Sequence, residues 1–257
     1  MVEKARESNR LERISLQGIK IDCIRSRELY SVVKRLLSDK KKHYITYVNI
    51  HTMNIAYHDA RLRETYNRST ITYCDGAGVV IGARLLGKYL PEHMTAATFL
   101  PELCRHWQDD GTSLYFLGGL PGVAAKACER LEALYPRLKI SGHAHGYFLR
   151  GSKEEDEILS KISETHPDIL FIGFGTPLQE YWAMENWTRL EARVVWSIGA
   201  IVDYLSGTVP RCPKWMERYY LEWLFRFLIE PRRMFSRYVI GNPLFFLRIV
   251  KERLSKS

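Results

Sequence analysis

Cysteine is scarce in this chain of 257 residues. Cys23, Cys74, Cys104, Cys128 and Cys212 are scattered, odd in number, and form no C-x-x-C pair. That argues against a disulfide framework and a structural zinc site, and fits a reducing cytosol. No run of about 18 uncharged apolar residues occurs, as a spanning helix would need. Met1 to Arg13 is densely charged and holds no apolar stretch, which argues against a secretory signal. Several chemistry-bearing motifs are missing as well. The dinucleotide fingerprint G-x-G-x-x-G with its trailing acid and the phosphate loop G-x-x-x-x-G-K-[ST] are both absent, which counts against NAD and a P-loop ATPase. No G-x-S-x-G elbow points to an α/β-hydrolase. His143 and His145 form H-x-H without an accompanying acid, and no Asp-x-Asp or H-E-x-x-H occurs, so no metal site is expected.

What is present reads as a globular enzyme-sized chain. It is 46% hydrophobic and 26% charged, too apolar for disorder and long enough to bury a large core. Short β-rich runs at Ile19–Ile24, Tyr44–Ile50, Thr70–Tyr73, Leu114–Leu117, Lys139–Gly142, Ile169–Phe174 and Val194–Ile198 alternate with amphipathic stretches at Glu28–Ser38, Asn54–Asn67, Gly78–Leu86, Thr98–Trp107, Val123–Tyr135, Glu154–Thr165 and Leu178–Leu190. That alternation predicts an α/β fold: a Rossmann-like, mainly parallel sheet with helices on both faces. The pattern changes near Pro210–Pro213 and is only helical beyond, with breaks expected at Pro231 and Gly241-Asn242-Pro243. The chain therefore divides into a Rossmann-like body, 1–208, and a C-terminal helical basic appendage, 209–257.

The net charge of +9 is concentrated in that appendage: residues 210–257 hold 11 Lys and Arg against 4 Asp and Glu, and 10 of the 31 aromatics. Nucleic acid, an acidic lipid surface or a phosphorylated small molecule would each match. A helical hairpin docked on the body with a solvated basic face is the plainer alternative.

Open α/β sheets bind ligands at the carboxyl ends of their strands, which selects four joints. Thr46-Tyr47-Val48-Asn49 ends one strand, and Asp75-Gly76 follows the next. Gly118-Gly119-Leu120-Pro121-Gly122 joins a strand to a helix and could cradle a phosphate, or could use glycine for turn geometry alone. Gly173-Phe174-Gly175-Thr176-Pro177 leads into Gln179-Glu180, where the amide could read a base or sugar and the acid could complement the helix dipole. Asp75 is the best candidate general base; capping the following helix is its alternative. Asp203, after the last strand, faces the cleft or pairs with a tail arginine.

Thr46-x-x-Asn49, Asp75-Gly76-x-Gly78, Gly118-Gly119-x-Pro121-Gly122, His145-Gly146-Tyr147-Phe148, Gly173-x-Gly175-x-Pro177-x-Gln179-Glu180, Asp203-x-x-x-Gly207 and Leu221-Glu222-Trp223-Leu224-Phe225-Arg226 through Arg232-Arg233 occur in an order that resembles the WecG/TagA/CpsF family of bacterial glycosyltransferases. The resemblance covers about residues 15–250. It implies transfer of a sugar from a nucleoside-diphosphate sugar to a polyprenyl-diphosphate-linked acceptor in cell-surface polysaccharide synthesis, with inversion and with no metal or cofactor. It makes Asp75 the base with Thr46 and Asn49 beside it, places Gln179 and Asp203 in the pocket, and closes Arg226, Arg233 and Arg237 over the diphosphate. It implies a cytoplasmic protein held peripherally on an anionic membrane surface, with no nucleic-acid partner, and leaves a homo-oligomer open. Where the family usually has Glu-Arg-Val-x-Gly-x-Asp, this chain has Glu92-His93-Met94-Thr95-Ala96-Ala97-Thr98, so His93 replaces a permanent charge near the expected pocket. The rival reading is a non-enzymatic membrane- or RNA-binding module, a degenerate transferase using the basic aromatic tail.

Overall fold

A computed structural model of the chain describes residues 11–219 and 221–255. It opens on an antiparallel hairpin, β1 (Arg13–Leu16) and β2 (Ile19–Asp22). There follow α1 (Ser26–Ser38), β3 (His43–Val48), α2 (Ile50–His58), α3 (Ala60–Arg68), β4 (Ile71–Cys74), α4 (Ala77–Leu85), α5 (Ala96–Asp110), β5 (Ser113–Gly118) and α6 (Val123–Leu134). Next come β6 (Lys139–Ala144), α7 (Lys153–Thr165), β7 (Ile169–Gly173), α8 (Leu178–Glu185), β8 (Val194–Ser197) and α9 (Ile201–Ser206). The tail holds α10 (Lys214–Arg218), α11 (Glu222–Ile229), α12 (Pro231–Phe235), a π-helical turn at Ser236–Ile240, and α13 (Gly241–Leu254).

Strands β3 to β8 form one sheet, ordered β4-β3-β8-β7-β5-β6 and parallel at every pairing. Its inner strands β5, β7 and β8 are largely apolar on both sides, as a doubly covered parallel sheet requires, whereas the edge strand β6 is more exposed. Ile169, Phe171, Val194 and Trp196 pack into one core with Trp107 of α5 and Ala127 of α6. Leu170, Ile172 and Val195 point the other way, onto Ile162 of α7 and Trp182 of α8. The α/β, Rossmann-like reading therefore holds. Crossovers from β3 and β5 leave in opposite directions, to β4 and β6, and β7 and β8 fill the gap between them. Ligand crevices of open sheets form at such reversals.

Three local expectations are revised. The run at Ile19–Ile24 does not enter the main sheet; it pairs with β1, its immediate neighbour in sequence. The amphipathic stretch Asn54–Asn67 is two helices, because Asp59 caps α3 by accepting from the Leu62 amide at 2.9 Å. Gly241-Asn242-Pro243 does not break the tail: α13 begins there, with Pro243 in its first turn, where a missing N–H costs nothing.

The tail's last helix is docked on the body. Phe245 and Ile249 are fully buried with Leu16 and Ile19 of the hairpin, Met53 of α2 and Val79 of α4. Leu244, Leu247, Val250 and Leu254 of the same helix are exposed. Among the described residues no helix is long and apolar enough to cross a membrane.

Candidate active site

β3 and β4 end side by side, with Val48 opposite Cys74, so Asn49 and Asp75 leave the sheet as neighbours. Asn49 caps α2: its Oδ1 accepts from the Thr52 amide at 3.0 Å, and its own amide donates to the Thr52 hydroxyl at 2.8 Å. That fixes the side-chain oxygen and turns Nδ2 toward Asp75 Oδ2, to which it donates at 3.3 Å. Asp75 caps no helix. Gly76, at φ +97°, precedes α4, whose first turn receives no side-chain cap. The capping alternative for Asp75 therefore does not hold.

Desolvation raises the Asp75 carboxyl from its ordinary 3.8 to about 7. Glu222 of α11 adds to the rise, while the Asn49 amide and the Arg226 guanidinium oppose it. A carboxyl poised near neutrality, with a donor holding it in place, has the protonation behaviour of a general base.

The tail supplies the facing cations. Arg226 of α11 lies 5.1 Å over the Tyr204 ring of α9, and Trp223 packs edge-on against Tyr238 of the π-helical turn at 5.9 Å. Asp203, in the first turn of α9, is raised by desolvation and lowered by Arg233 and then Arg226. It faces both arginines without forming an ion pair among the described residues. Arg233 bonds Glu230 at 3.0 and 3.1 Å. Arg237 stands near Arg233 and Arg226, and burial together with these neighbours pushes its pKa down. Asp75, Asn49, Asp203 and the three arginines are thus brought to one end of the sheet.

Three expected residues lie beneath that cleft rather than in it. Gln179 and Glu180 are fully buried. Gln179 Oε1 accepts from the Gly199 amide at 3.0 Å and its Nε2 donates to Glu180 Oε1 at 2.8 Å. The Thr176 hydroxyl donates to the same carboxylate oxygen at 3.0 Å. This network ties the turn after β7 to the turn after β8. Thr46 is fully buried in β3, its hydroxyl close enough to Glu180 to help stabilise the charged carboxylate, and among the described residues neither Thr46 Oγ1 nor Glu180 Oε2 has a hydrogen-bond partner within bonding geometry.

Burial raises the Glu180 carboxyl from 4.5 to about 7. A folded-state pKa above the unfolded one means that the native state holds the proton more tightly, so stability falls as pH rises from about 4.5 to 7. Glu180→Gln is therefore expected to raise the unfolding free energy by about 2–3 kcal/mol at pH 8 and to have little effect at pH 4. Denaturant titrations at the two pH values check this; an equal effect at both would show that the carboxyl does not titrate on folding.

The phosphate-cradle alternatives also separate. A Cβ at Gly118 would sit 2.8 Å from the Gly173 carbonyl oxygen, so strand packing demands that glycine. Gly119, at φ +70°, has its would-be Cβ 2.8 Å from Val123 and 3.5 Å from Asp203 Oδ1, which places the turn directly beside Asp203. Gly175 sits at φ +80° in open space. His93 is half-buried, and the next residue, Met94, donates its amide to the Cys74 carbonyl at 2.7 Å, so His93 is held beside the strand end that carries Asp75.

Sequence reading missed His51, Glu222, Tyr204 and Tyr238. Glu222 lies one helical turn before Arg226, a spacing that puts both on one face, and His51 follows Asn49 by two. Those were the available signals. Among the described residues no three His, Cys, Asp or Glu side chains cluster as a metal site would.

Residues 14–257 match the model of the family described as glycosyl transferase WecG/TagA/CpsF. An N-acetylglucosaminyldiphosphoundecaprenol N-acetyl-beta-D-mannosaminyltransferase of Bacillus spizizenii is 28% identical over 233 residues, covering 89% of this chain and 88% of its own. The Staphylococcus aureus protein of the same name is 23% identical over 249 residues, 96% of each chain.

Proposed function

The chain belongs to the WecG/TagA/CpsF family and is a glycosyltransferase, and on that premise we propose that it moves an N-acetylhexosaminyl group from a nucleoside-diphosphate sugar to a polyprenyl-diphosphate-linked sugar, with inversion at the anomeric carbon. The observation that carries the reading is the buried Asp75 carboxyl, held by the Asn49 amide and near enough to Arg226 for the guanidinium to act on its charge. Asp75 takes the proton of the acceptor hydroxyl as its oxygen attacks the anomeric carbon. The bond to the nucleoside diphosphate breaks, and the negative charge gained by the leaving group is met by Arg226 and Arg233. Arginine is suited to this because its planar fork matches phosphate oxygens and keeps its charge. Gln179, Glu180 and Thr46 act by holding the two turns at the right height; Asp203, Gly119 and His93 border the donor.

The sheet body (1–208) carries the chemistry and the tail (209–257) closes the site. The tail also holds the enzyme at the inner face of the plasma membrane, where a polyprenyl acceptor resides. The exposed Leu244, Leu247, Val250 and Leu254, with a tail net charge of +7, support that placement.

The test is incubation of the full chain with nucleoside-diphosphate N-acetylhexosamines and N-acetylglucosaminyl-diphosphoprenol. Expected is a product heavier by one N-acetylhexosaminyl residue with the opposite anomeric configuration, formed equally in excess chelator. Retained configuration, or loss in chelator with rescue by magnesium or manganese, would overturn the mechanism. Glu222→Gln provides a second check. Removing a negative charge beside Asp75 lowers its pKa, so the acid limb of the pH–rate profile is expected to move to lower pH. A limb that stays in place would remove Glu222 from the tuning of the base.

A further inference from the structure

A second feature adjoins the Asp75–Asp203 cleft, with Arg237 lining it and also standing near Arg233 and Arg226. Between α2, the π-helical turn and α13 is a cavity of about 230 Å³, lined among others by His51, His58, Arg237 and Arg248 and by no acidic side chain. None of Asp75, Asn49, Asp203 or Arg226 lines it. Its arginines are prepared in different ways. Arg248 is fixed: it donates to Asn54 Oδ1 at 2.9 Å, contacts His58 Nε2 at 2.9 Å, and its guanidinium lies 3.9 Å over the Tyr57 ring. Asn54 in turn donates to the Gly241 carbonyl at 2.7 Å. An arginine has five N–H donors, so these bonds leave others for a ligand. Arg237 forms no ion pair among the described residues. Burial and then its neighbours Arg233 and Arg226 act on its charge, and burial, Arg237 and Arg233 push His51 down to about 4.

Two arginines at a small cavity whose lining holds no acid constitute an excess of positive charge that costs free energy until an anion enters. Preformed guanidinium forks of this kind suit phosphate oxygens. The same cavity also has an apolar part: Ile240 is 50% and Leu244 42% exposed, and Leu247, 66% exposed, lies further along α13. A phosphate in the cavity would have a hydrocarbon chain leaving over these side chains.

We propose that this cavity is a phosphate-binding site for the headgroup of an anionic membrane lipid. The site is a binding site only, independent of whether transfer follows the reading above, and its readout is occupancy rather than turnover.

Histidine ring signals give that readout. The full chain is labelled at histidine Cε1, and His51→Gln and His58→Gln assign the two cavity rings. It is titrated with inorganic phosphate and, separately, with dihexanoylphosphatidylglycerol below its micelle concentration. Both probes are expected to move the His51 and His58 signals and to leave His166, which is remote in the chain, unmoved. The lipid should act at about ten-fold lower concentration, because its chain adds apolar contact. Arg237→Gln, which removes no docking bond of α13, should weaken both titrations about ten-fold or more; Arg248→Lys, which retains the charge but not the fork, should weaken them as well. No movement of the two cavity rings, or titrations unchanged by both substitutions, would overturn the site. Equal potency of inorganic phosphate and lipid would overturn the assignment to a lipid.

Discussion

Asp75→Asn is expected to lower turnover by roughly two to four decades, the range a positioned general base contributes, while the cooperative unfolding transition is kept and, by the same linkage as at Glu180, moves to higher stability above pH 7. The replacement keeps the shape of the side chain and can still bond the Asn49 amide through its oxygen. It removes the group able to take the proton of the acceptor hydroxyl. Asp75 caps no helix, so a loss of activity cannot be traced to a frayed α4. Wild-type turnover should itself rise with pH through about 7, because the carboxyl must be ionised to act and burial has raised its pKa to that region. Single-turnover rates of the two proteins across pH 5–9 check both statements. Near-wild-type turnover in the variant would remove Asp75 from the role. A variant that loses its cooperative unfolding transition would mean that the carboxyl is structural.

Arg226→Ala is expected to lower kcat by about two to three decades, the cost of removing one group that meets transition-state charge. Its guanidinium is seated over Tyr204 and acts on the charge of both Asp75 and Asp203. Arg226→Lys should recover only part of the loss, because an ammonium keeps the charge without the fork. Flotation of Arg226→Ala with anionic vesicles should match wild type, since the exposed apolar row of α13 and its basic residues are untouched. Loss of vesicle binding together with activity would show instead that α11 anchors the whole tail. Deleting residues 210–257 is a poorer test. It would strip Phe245 and Ile249 from a core shared with the N-terminal hairpin, and so mix loss of the site with loss of the fold.

Much of this was legible in the sequence. Buried parallel strands such as Leu114–Leu117 and Ile169–Ile172 are continuous apolar runs whatever their neighbours, and glycine or proline marks the turns that follow them. The α/β architecture, and the positions of Asn49, Asp75, Gly118–Gly119 and Asp203 at strand ends, follow from such local signals.

Tertiary structure decided the depth of each side chain. Gln179 and Glu180 occupy a helix's first turn, a position that reads equally well as cleft lining or cleft floor. Their burial depends on β8 lying beside β7, which brings the Gly199 amide to Gln179 from 20 residues away. His51 became part of a basic cavity only because α13 packs across α2, and that packing also placed Gly241 against Asn54 where the local pattern indicates a break. Hydrophobic period and turn chemistry act over a few residues and specify elements. Strand order and helix docking bring together groups nearly 200 residues apart, and no local pattern encodes which of them will meet.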